Sequence, residues 1–563
     1  MHFDHSLKHW FRSGAPWVWL NAGAVALALL ALLGILLLIG TRGLAYFWPP
    51  ALLQAELQGN GHPQIIAGEV IRREHLPLRQ RQEDGLSLNS TDTEMSRTLM
   101  RGSTRAFSHS DFFWVLDHNL SEEHYPQHLA VFEPVRWGRI YGYLQELRSD
   151  GHTLLRRDES PDEEALWQAF AQRQQHTRTL QREMDRIERT RLGQINRQLE
   201  ALRLQQRRLT LPGSVQQSEL QALQQNRTRL EQEYAQLQQH LHRLQAQIEQ
   251  ESLVIEMADG RTLTLAVADL IRAYRPNNMT LVEKLQHYGS SLWEFLTESP
   301  RAGNTEGGVF PALFGTVLLV LLMSVLVTPF GVLAAVYLHE YAHQGMLTRI
   351  IRIAVHNLAG VPSIVYGIFG LGFFVYFLGG SIDTFFFPEA LPVPTFGTGG
   401  LLWASATLAL LTLPVVIVAT EEGLRTIPVS LREGALALGA TRAETLWRIV
   451  LPAASPAMMT GVILAIARAA GEVAPLMLVG VVKLVPQLPV DGHFPYLHLD
   501  QKFMHLGFHI YDVGFHSANT EAAQPLVYAT ALLLLLVILL LNLSAIMLRS
   551  HLRARFRALE SEL

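Results

Sequence analysis

The sequence predicts an α-helical integral membrane protein with about six transmembrane helices and, outside the bilayer, a β domain that carries an antiparallel coiled-coil hairpin. Three observations lead to that fold class. The chain has 563 residues, 49% hydrophobic and 17% charged, which is too apolar and too long for one soluble domain. Its apolar residues gather into runs long enough to cross a bilayer, near residues 18–40, 310–338, 353–378, 401–420, 457–482 and 526–548. Between the first two runs lies a polar stretch over 41–305, patterned like strands and a long helical pair. Net charge is −4, from 46 basic and 50 acidic residues, so no bulk basic character points to nucleic acid. Cysteine is absent, which excludes disulfides and thiolate chemistry.

Taken in order, Lys8 and Arg12 precede the first run, and Tyr46, Phe47 and Trp48 follow it at interfacial depth. No small-residue cleavage site stands close behind it, so the run reads as a retained anchor over 18–40, with residues 1–17 cytoplasmic. In the polar stretch, residues 65–71, 139–147, 253–257 and 262–267 have the β-branched and aromatic content of strands, and Asp150-Gly151 and Asp259-Gly260 supply hairpin turns. A helical hairpin at about 163–250 is inserted into this domain. Ile195, Leu199, Leu202 and Leu209 on its first arm, and Leu220, Leu223, Leu230, Tyr234, Leu237, Leu241, Leu244 and Ile248 on its second, follow a 3-4 spacing. Leu211-Pro212-Gly213-Ser214 turns the chain back. Arms of roughly 35 to 45 residues would project about 50 to 70 Å. Their faces carry mainly Gln, Arg and Glu, which favours a rigid spacer over a docking arm for a periplasmic partner or a second copy.

Residues 306–548 form the membrane core, and 549–563 a tail. Arg349, Arg352, Arg425, Arg432, Arg442, Arg448, Arg549, Arg553, Arg555 and Arg557 fall on the side shared with Lys8 and Arg12. Residues 381–400 carry no Lys or Arg, and 487–524 only Lys502. Both termini and the loop over 425–455 are therefore expected in the cytoplasm, and the domain over 41–305 outside, in the periplasm of a cell with an outer membrane.

That loop reads locally as a short polar helix, a break at Gly439, and a second helix from about Arg442 to Val450, with Thr441 and Glu444 at capping-box spacing and Pro452 beginning the next span. Glu433, Ala435, Gly439, Ile449, Leu451 and Pro452 stand at the spacing E-A-A-x3-G-x9-I-x-L-P, and the stretch resembles the coupling loop of ABC importer permeases; Gly434 in the second position is the departure, small for small. Three further stretches, GGVFPALFGT at 307–316, LAGVPSIVYG at 358–367 and ARAAGEVAPL at 467–476, resemble the permeases of phosphate importers, the PstA and PstC pair, and the last is closer to PstA.

The resemblance covers about 307–548 and does not reach the outer domain, an elaboration that a short PstA lacks. It implies that the loop is a coupling helix for a separate ATPase, and that the chain is half of a heteromeric inner-membrane importer. A PstC-like permease, a PstB-like ATPase dimer carrying ATP and Mg, a periplasmic phosphate-binding protein and phosphate itself would be its partners. Arg425 resembles a family arginine implicated in the pathway and reads equally as a topology anchor. No G-x4-G-K-[ST] occurs, so ATP binding is not encoded here and no cofactor is expected on this chain.

Independently of the resemblance, Arg468 and Glu472 stand at i, i+4, about 16 Å into the span if it begins near Ala457, and are expected on one helix face near the bilayer midplane. Charges at that depth by default line a polar path. The planar arginine fork suits a tetrahedral oxyanion. Glu472 would repel an anion, yet monohydrogen phosphate can donate a hydrogen bond to a carboxylate, whereas sulfate cannot. The alternative is a private ion pair that only joins helices. Pro329, Gly331, Gly360, Pro362 and Pro414 allow kinks and close helix approach.

One motif points elsewhere. His339-Glu340-Tyr341-Ala342-His343 is H-E-x-x-H, the signature of zinc metalloproteases. A third ligand is missing in later spans, and phosphate permeases resemble this stretch with an acidic residue, Tyr and Ala, so a metal site at His339, Glu340 and His343 is set aside. Two other readings stay open: a permease for another oxyanion such as phosphonate, and a membrane sensor in which the coiled coil regulates phosphate signalling.

Overall fold

The computed structural model describes residues 13–58, 64–75, 96–103, 112–135, 138–158, 163–210, 217–301, 306–343, 345–485, 487–492, 494–517 and 520–561. Lys8, Arg12 and the Leu211-Pro212-Gly213-Ser214 turn lie outside the described residues, as do the side chains of Arg553, Arg555 and Arg557. The chain divides into a membrane unit, residues 1–48, 309–371 and 400–563, and a polar unit, residues 49–308 and 372–399.

The polar unit begins with five strands, β1 (Leu52–Leu57), β2 (Gln64–His75), β3 (Ser96–Arg101), β4 (Phe112–Leu116) and β5 (Leu120–His124), in an antiparallel sheet of order β4-β3-β2-β1-β5. A 3₁₀ turn, Asp117–Asn119, separates the last two. The second sheet repeats this plan. β6 (Ala130–Pro134), β7 (Ile140–Ser149), β9 (Glu251–Met257), β10 (Thr262–Ala266) and β11 (Leu270–Tyr274) pair in the order β10-β9-β7-β6-β11, and a 3₁₀ turn, Val267–Asp269, again precedes the last strand. β8 (His152–Arg156) hangs off β7. The unit thus contains one five-strand module twice. Asp150 and Gly151, with φ of 51° and 77°, and Gly260, with φ of 80°, form the tight turns that their sequence suggests.

The insertion sits between the second and third strands of the second module. It comprises α2 (Glu163–Arg186), a π-helical turn at Ile187–Leu192, α3 (Gly193–Thr210) and α4 (Gln217–Glu249). Leu166, Trp167 and Phe170 root α2 in the core of the second sheet, beside Phe132, Ile140, Leu144 and Leu253. His240 on α4 lies 3.9 Å from Glu183 on α2. Ile195, Leu223, Leu230, Leu244 and Ile248 of the spaced set are buried. Near the end of α3, Arg208 pairs at 2.8 Å with Glu389, in the segment that follows the helix at Gly380–Phe386.

After β11 comes α5 (Leu281–Thr297), started by a reciprocal capping box between Thr280 and Glu283. A buried ion-pair network holds it. Arg272 donates from Nε to Glu133 at 2.6 Å and from Nη1 to Ser291 at 3.0 Å, and its Nη1 lies 3.3 Å from Glu294. Arg139 bridges Glu69 at 2.7 Å and Glu133 at 3.0 Å, joining the two sheets. Burial alone would raise the Glu133 carboxyl, but Arg139 and Arg272 outweigh it and hold that group at about 2.

The membrane unit supplies the long apolar helices. Among the described residues, six candidates to cross a membrane are Pro16–Ala45, Phe310–Tyr341, Ser363–Phe386, Leu401–Arg425, Arg442–Ala469 and Ala523–His551, the third of which runs on into the polar unit's share of the chain. Their helical pieces are α1 (Ala15–Ala45), α6 (Phe310–Val336), α8 (Ser363–Phe369), α9 (Gly380–Phe386), α10 (Leu401–Arg425), α11 (Val429–Ala437) in a connecting loop, α12 (Arg442–Thr445), α13 (Leu451–Ala469), α14 (Ala474–Val479), α15 (Leu506–His516) and α16 (Thr520–Ser561). α7 is the amphipathic Met346–Leu358.

Two expected runs differ. The run at 353–378 is split, because Pro362 and the turn before it end α7 and restart the helix at Ser363. The run at 457–482 ends at Ala469 and resumes as α14, with Gly471 in the break and Pro475 in the first turn of the new helix. At its other end, the helix does not start afresh at Pro452: a π-helical turn at Leu446–Val450 carries it from α12 into α13, accommodating the N–H that the proline lacks.

Candidate functional site

The site is assembled where α13 stops. Arg468 lies in the last turn of α13, where a cation is favoured by the helix dipole. Glu472 stands in the turn after the helix, so the two residues do not share one helix face as their i, i+4 spacing suggests. Gly471 ends the helix between them. They still meet, Nε to Oε1 at 3.5 Å, with about a third and a quarter of their side chains exposed (33% and 23%). That distance is an ion pair rather than a tight hydrogen bond, and the exposure leaves donors of the guanidinium free to take a further ligand.

Two stretches distant in sequence converge here. Gly367 on α8 packs so closely on α14 that a Cβ would stand 2.7 Å from Pro475 Cα, which only glycine tolerates. Immediately before Gly367, the buried Tyr366 donates from its hydroxyl to the Leu358 carbonyl at 2.7 Å and lies within electrostatic reach of Arg468. The third stretch enters through Thr316, whose hydroxyl accepts from the Leu506 N–H at 2.8 Å and fixes the start of α15. Tyr366, quoted only within the 358–367 stretch, and the 503–506 segment were not singled out; a tyrosine within an apolar run, and a histidine at 505, were the available signals.

Arg425 is elsewhere. It sits in the last turn of α10, exposed, 3.6 Å from Glu422. α10 and α13 run antiparallel, with Gly423 against Ala457 and Gly461 against Ala419. From the level of Ala457 to Arg468 is eleven residues, about 16 Å at 1.5 Å each. The structure therefore does not bring Arg425 into one site with Arg468 and Glu472.

The coupling-type loop folds as a second candidate surface. α11 holds Glu433, Gly434 and Ala435, the last buried; Gly439 has φ of 90°, a conformation that suits glycine. Thr441 and Glu444 cap α12 reciprocally. Ile449, Leu451 and Pro452 lie on the helix that continues into the membrane. The tip presents Leu438, 91% exposed, and Trp447, 66% exposed. Neither was singled out in the motif.

The same region accounts for the H-E-x-x-H residues. Tyr337–Tyr341 is π-helical and Ala342 is extended, so His339 and His343 do not share a helix face as a zinc pair on one helix would. Glu340 is held by Arg432 of α11 at 2.9 Å and by His339 at 3.1 Å, while Arg432 also donates to the Leu424 carbonyl. A neighbouring pair, Arg352 and the buried Glu421 at 3.3 Å, ties α7 to α10. Glu340 thus seats the loop's first helix on the end of α6.

Comparison with known proteins places this architecture. Residues 327–558 match the model of the binding-protein-dependent transport system inner membrane component family. The phosphate transport system permease protein PstA 1 of Mycobacterium tuberculosis is 38% identical over 244 residues, 43% of this chain and 71% of that protein. PstA of Yersinia pestis is 34% identical over 257 residues, 46% of this chain and 77% of that protein. The probable ABC transporter permease protein YqgH of Bacillus subtilis is 33% identical over 208 residues, 36% of this chain; the match spans 63% of its length, somewhat less than two thirds. Six apolar helices among the described residues, together with these relatives, make the chain a multi-pass inner-membrane protein and a transporter membrane component. The chain belongs to the family of binding-protein-dependent transport system inner membrane components, as a PstA-type permease of the ABC importer class.

Proposed function

We propose that this chain forms half of the translocation path of an ATP-driven importer of inorganic phosphate, with Arg468 and Glu472 as the substrate-facing pair. The observation that carries the proposal is the ion pair at the broken end of α13, partly open and packed among two stretches of phosphate-permease type. Irregular backbone at membrane depth is tolerated where it lies in protein or lines a cavity, and half-helix ends there are suited to ions. Arg468 supplies a planar fork for the oxyanion, and the Glu472 carboxylate accepts a hydrogen bond from the P–OH of monohydrogen phosphate. Arg425 has a topological role at the end of α10.

On this reading both termini and the loop holding Glu433, Gly434, Ala435, Gly439, Ile449, Leu451 and Pro452 are cytoplasmic, and the duplicated β modules are periplasmic. Leu438 and Trp447 fill a groove on a PstB-like ATPase, which binds ATP and Mg. A PstC-like permease completes the path, and a periplasmic phosphate-binding protein loads it. Closure of the ATPases moves the coupling loops and rocks the spans between outward-open and inward-open states. The paired helices α2–α4 act as a coiled-coil spacer rooted in the second β module.

Uptake of radiolabelled phosphate in cells lacking the chain tests this. Restoration by the wild-type chain, unaffected by excess sulfate, is expected; equal uptake with and without the chain would reject phosphate import as its function.

A further inference from the structure

α5 is amphipathic in the wrong sense for a soluble domain. The side it turns to the β modules is largely polar: Ser291 and Glu294 meet Arg272, and the His287 ring lies 4.4 Å from that of Tyr274, with Phe295 the buried apolar contact. The side it turns outward is apolar. Leu281, Val282, Leu285 and Trp293 are 73%, 64%, 61% and 68% exposed. Placed at 100° per residue, these four with Gly289 and Leu296 occupy one uncharged arc, and the charged residues Glu283, Lys284 and Glu294 lie outside it. A helix in water would gain by the opposite arrangement.

Both ends of this helix are tied to places where the chain leaves a membrane span. Just before its N-terminus, Asn277 donates to the Leu52 carbonyl and accepts from the Leu52 N–H, both at 2.9 Å. Leu52 is four residues beyond Trp48, so this tie lies within about 14 Å of the aromatic end of the first span. At its C-terminus, Gly308 packs on the last turn, where a Cβ would stand 2.3 Å from the Glu298 carbonyl oxygen and 2.6 Å from that of Glu294. Phe310, two residues or about 7 Å further on, begins the second span. Each end of this helix of 17 residues, about 25 Å long, is thus tied within a short length of chain of the end of a span.

We propose that α5 is an interfacial helix whose outer face, Leu281, Val282, Leu285 and Trp293, is covered by lipid at the level between headgroups and acyl chains. The inference needs α1 and α6 to span the membrane and is independent of the transported substrate. It explains both the inverted amphipathicity and the tryptophan, a side chain suited to that depth. The ion-pair network through Arg272 then fixes the β modules to a helix that is itself fixed to the bilayer.

The natural absence of cysteine makes the test direct. Single variants Leu285→Cys, Trp293→Cys and, on the exposed flank outside the apolar arc, Ser290→Cys are spin-labelled in the full chain, reconstituted in vesicles of phosphatidylethanolamine and phosphatidylglycerol. Collision with oxygen and with a water-soluble nickel chelate gives the depth of each label. Labels at 285 and 293 are expected about 5–10 Å below the phosphates, with the label at 290 in water. Three labels equally open to the nickel chelate would overturn the proposal, as would labels at 285 and 293 that are immobile and shielded from both reagents, the signature of a protein partner.

Discussion

At the scale of single residues, the decisive feature is that Arg468 and Glu472 keep their pairing although a helix end separates them. A pair made only to join helices is indifferent to the substrate, whereas a pair that reads a protonated oxyanion is not. Glu472→Gln is therefore predicted to lower the preference for phosphate over sulfate by on the order of 10- to 100-fold, the worth of one charge-assisted hydrogen bond, as measured by competition in uptake. An unchanged preference would assign the pair to structure. His287 offers a second test. Burial first, and then Arg272 and Arg139, pull it down to about 4 against the opposing field of Glu133. The folded form thus prefers the neutral ring: the contribution to stability is whole above about 6.5 and is lost as pH falls toward 4. Hydrogen-exchange protection of α5, corrected for intrinsic rates, is predicted to decline through that window in the full chain, and His287→Gln to flatten the decline. Arg468 was legible in the sequence because a charge inside an apolar run is conspicuous. Glu340 was misleading because its partner, Arg432, is far away in the chain, and the two flanking histidines supply a stronger local pattern than the salt bridge does.

At the scale of elements, the capping box at Thr441 and the positive φ of Gly439 are local rules, and the sequence carries them without help from the rest of the fold. The helix breaks are less local. Pro452 signals a start, but the π-helical turn before it lets the helix run through, and Gly471 with Pro475 ends the next stretch inside what is an unbroken apolar run. Hydropathy reports residence in the membrane and is blind to such interruptions. The coupling loop gives the prediction at this scale. Leu438 is almost fully exposed at the tip between α11 and α12, and nothing in the chain's own packing requires it. Leu438→Glu is predicted to weaken association with the ATPase by about 30-fold, equivalent to a hot-spot loss of about 2 kcal/mol, with the chain inserted in the membrane as before. Co-purification from detergent extracts reads it, and undiminished recovery of the ATPase would remove Leu438 from the interface.

At the scale of the whole molecule, two β modules of the same strand order carry the long helical pair, and an interfacial helix follows them. The strands and their turns were readable from alternation and from Asp-Gly pairs. The duplication was not, because about a hundred residues of helix separate the second and third strands of one copy and so break the spacing that would betray a repeat. The pairing of Arg208 with Glu389 was equally out of reach, since it joins an arm to a segment 181 residues away. In the membrane unit, charges inside an apolar run pointed to the candidate site, and the structure sets Tyr366 within reach of it. The account stands most directly on Arg468. Phosphate uptake should be measured in cells that lack the chain and carry either the wild type or Arg468→Gln, with equal amounts of each in the membrane and equal ATPase recovered with them. The account predicts a fall in uptake on the order of 100-fold for the variant, the loss of a charge-assisted fork on the oxyanion. Uptake equal to wild type would contradict it and take Arg468 out of the path.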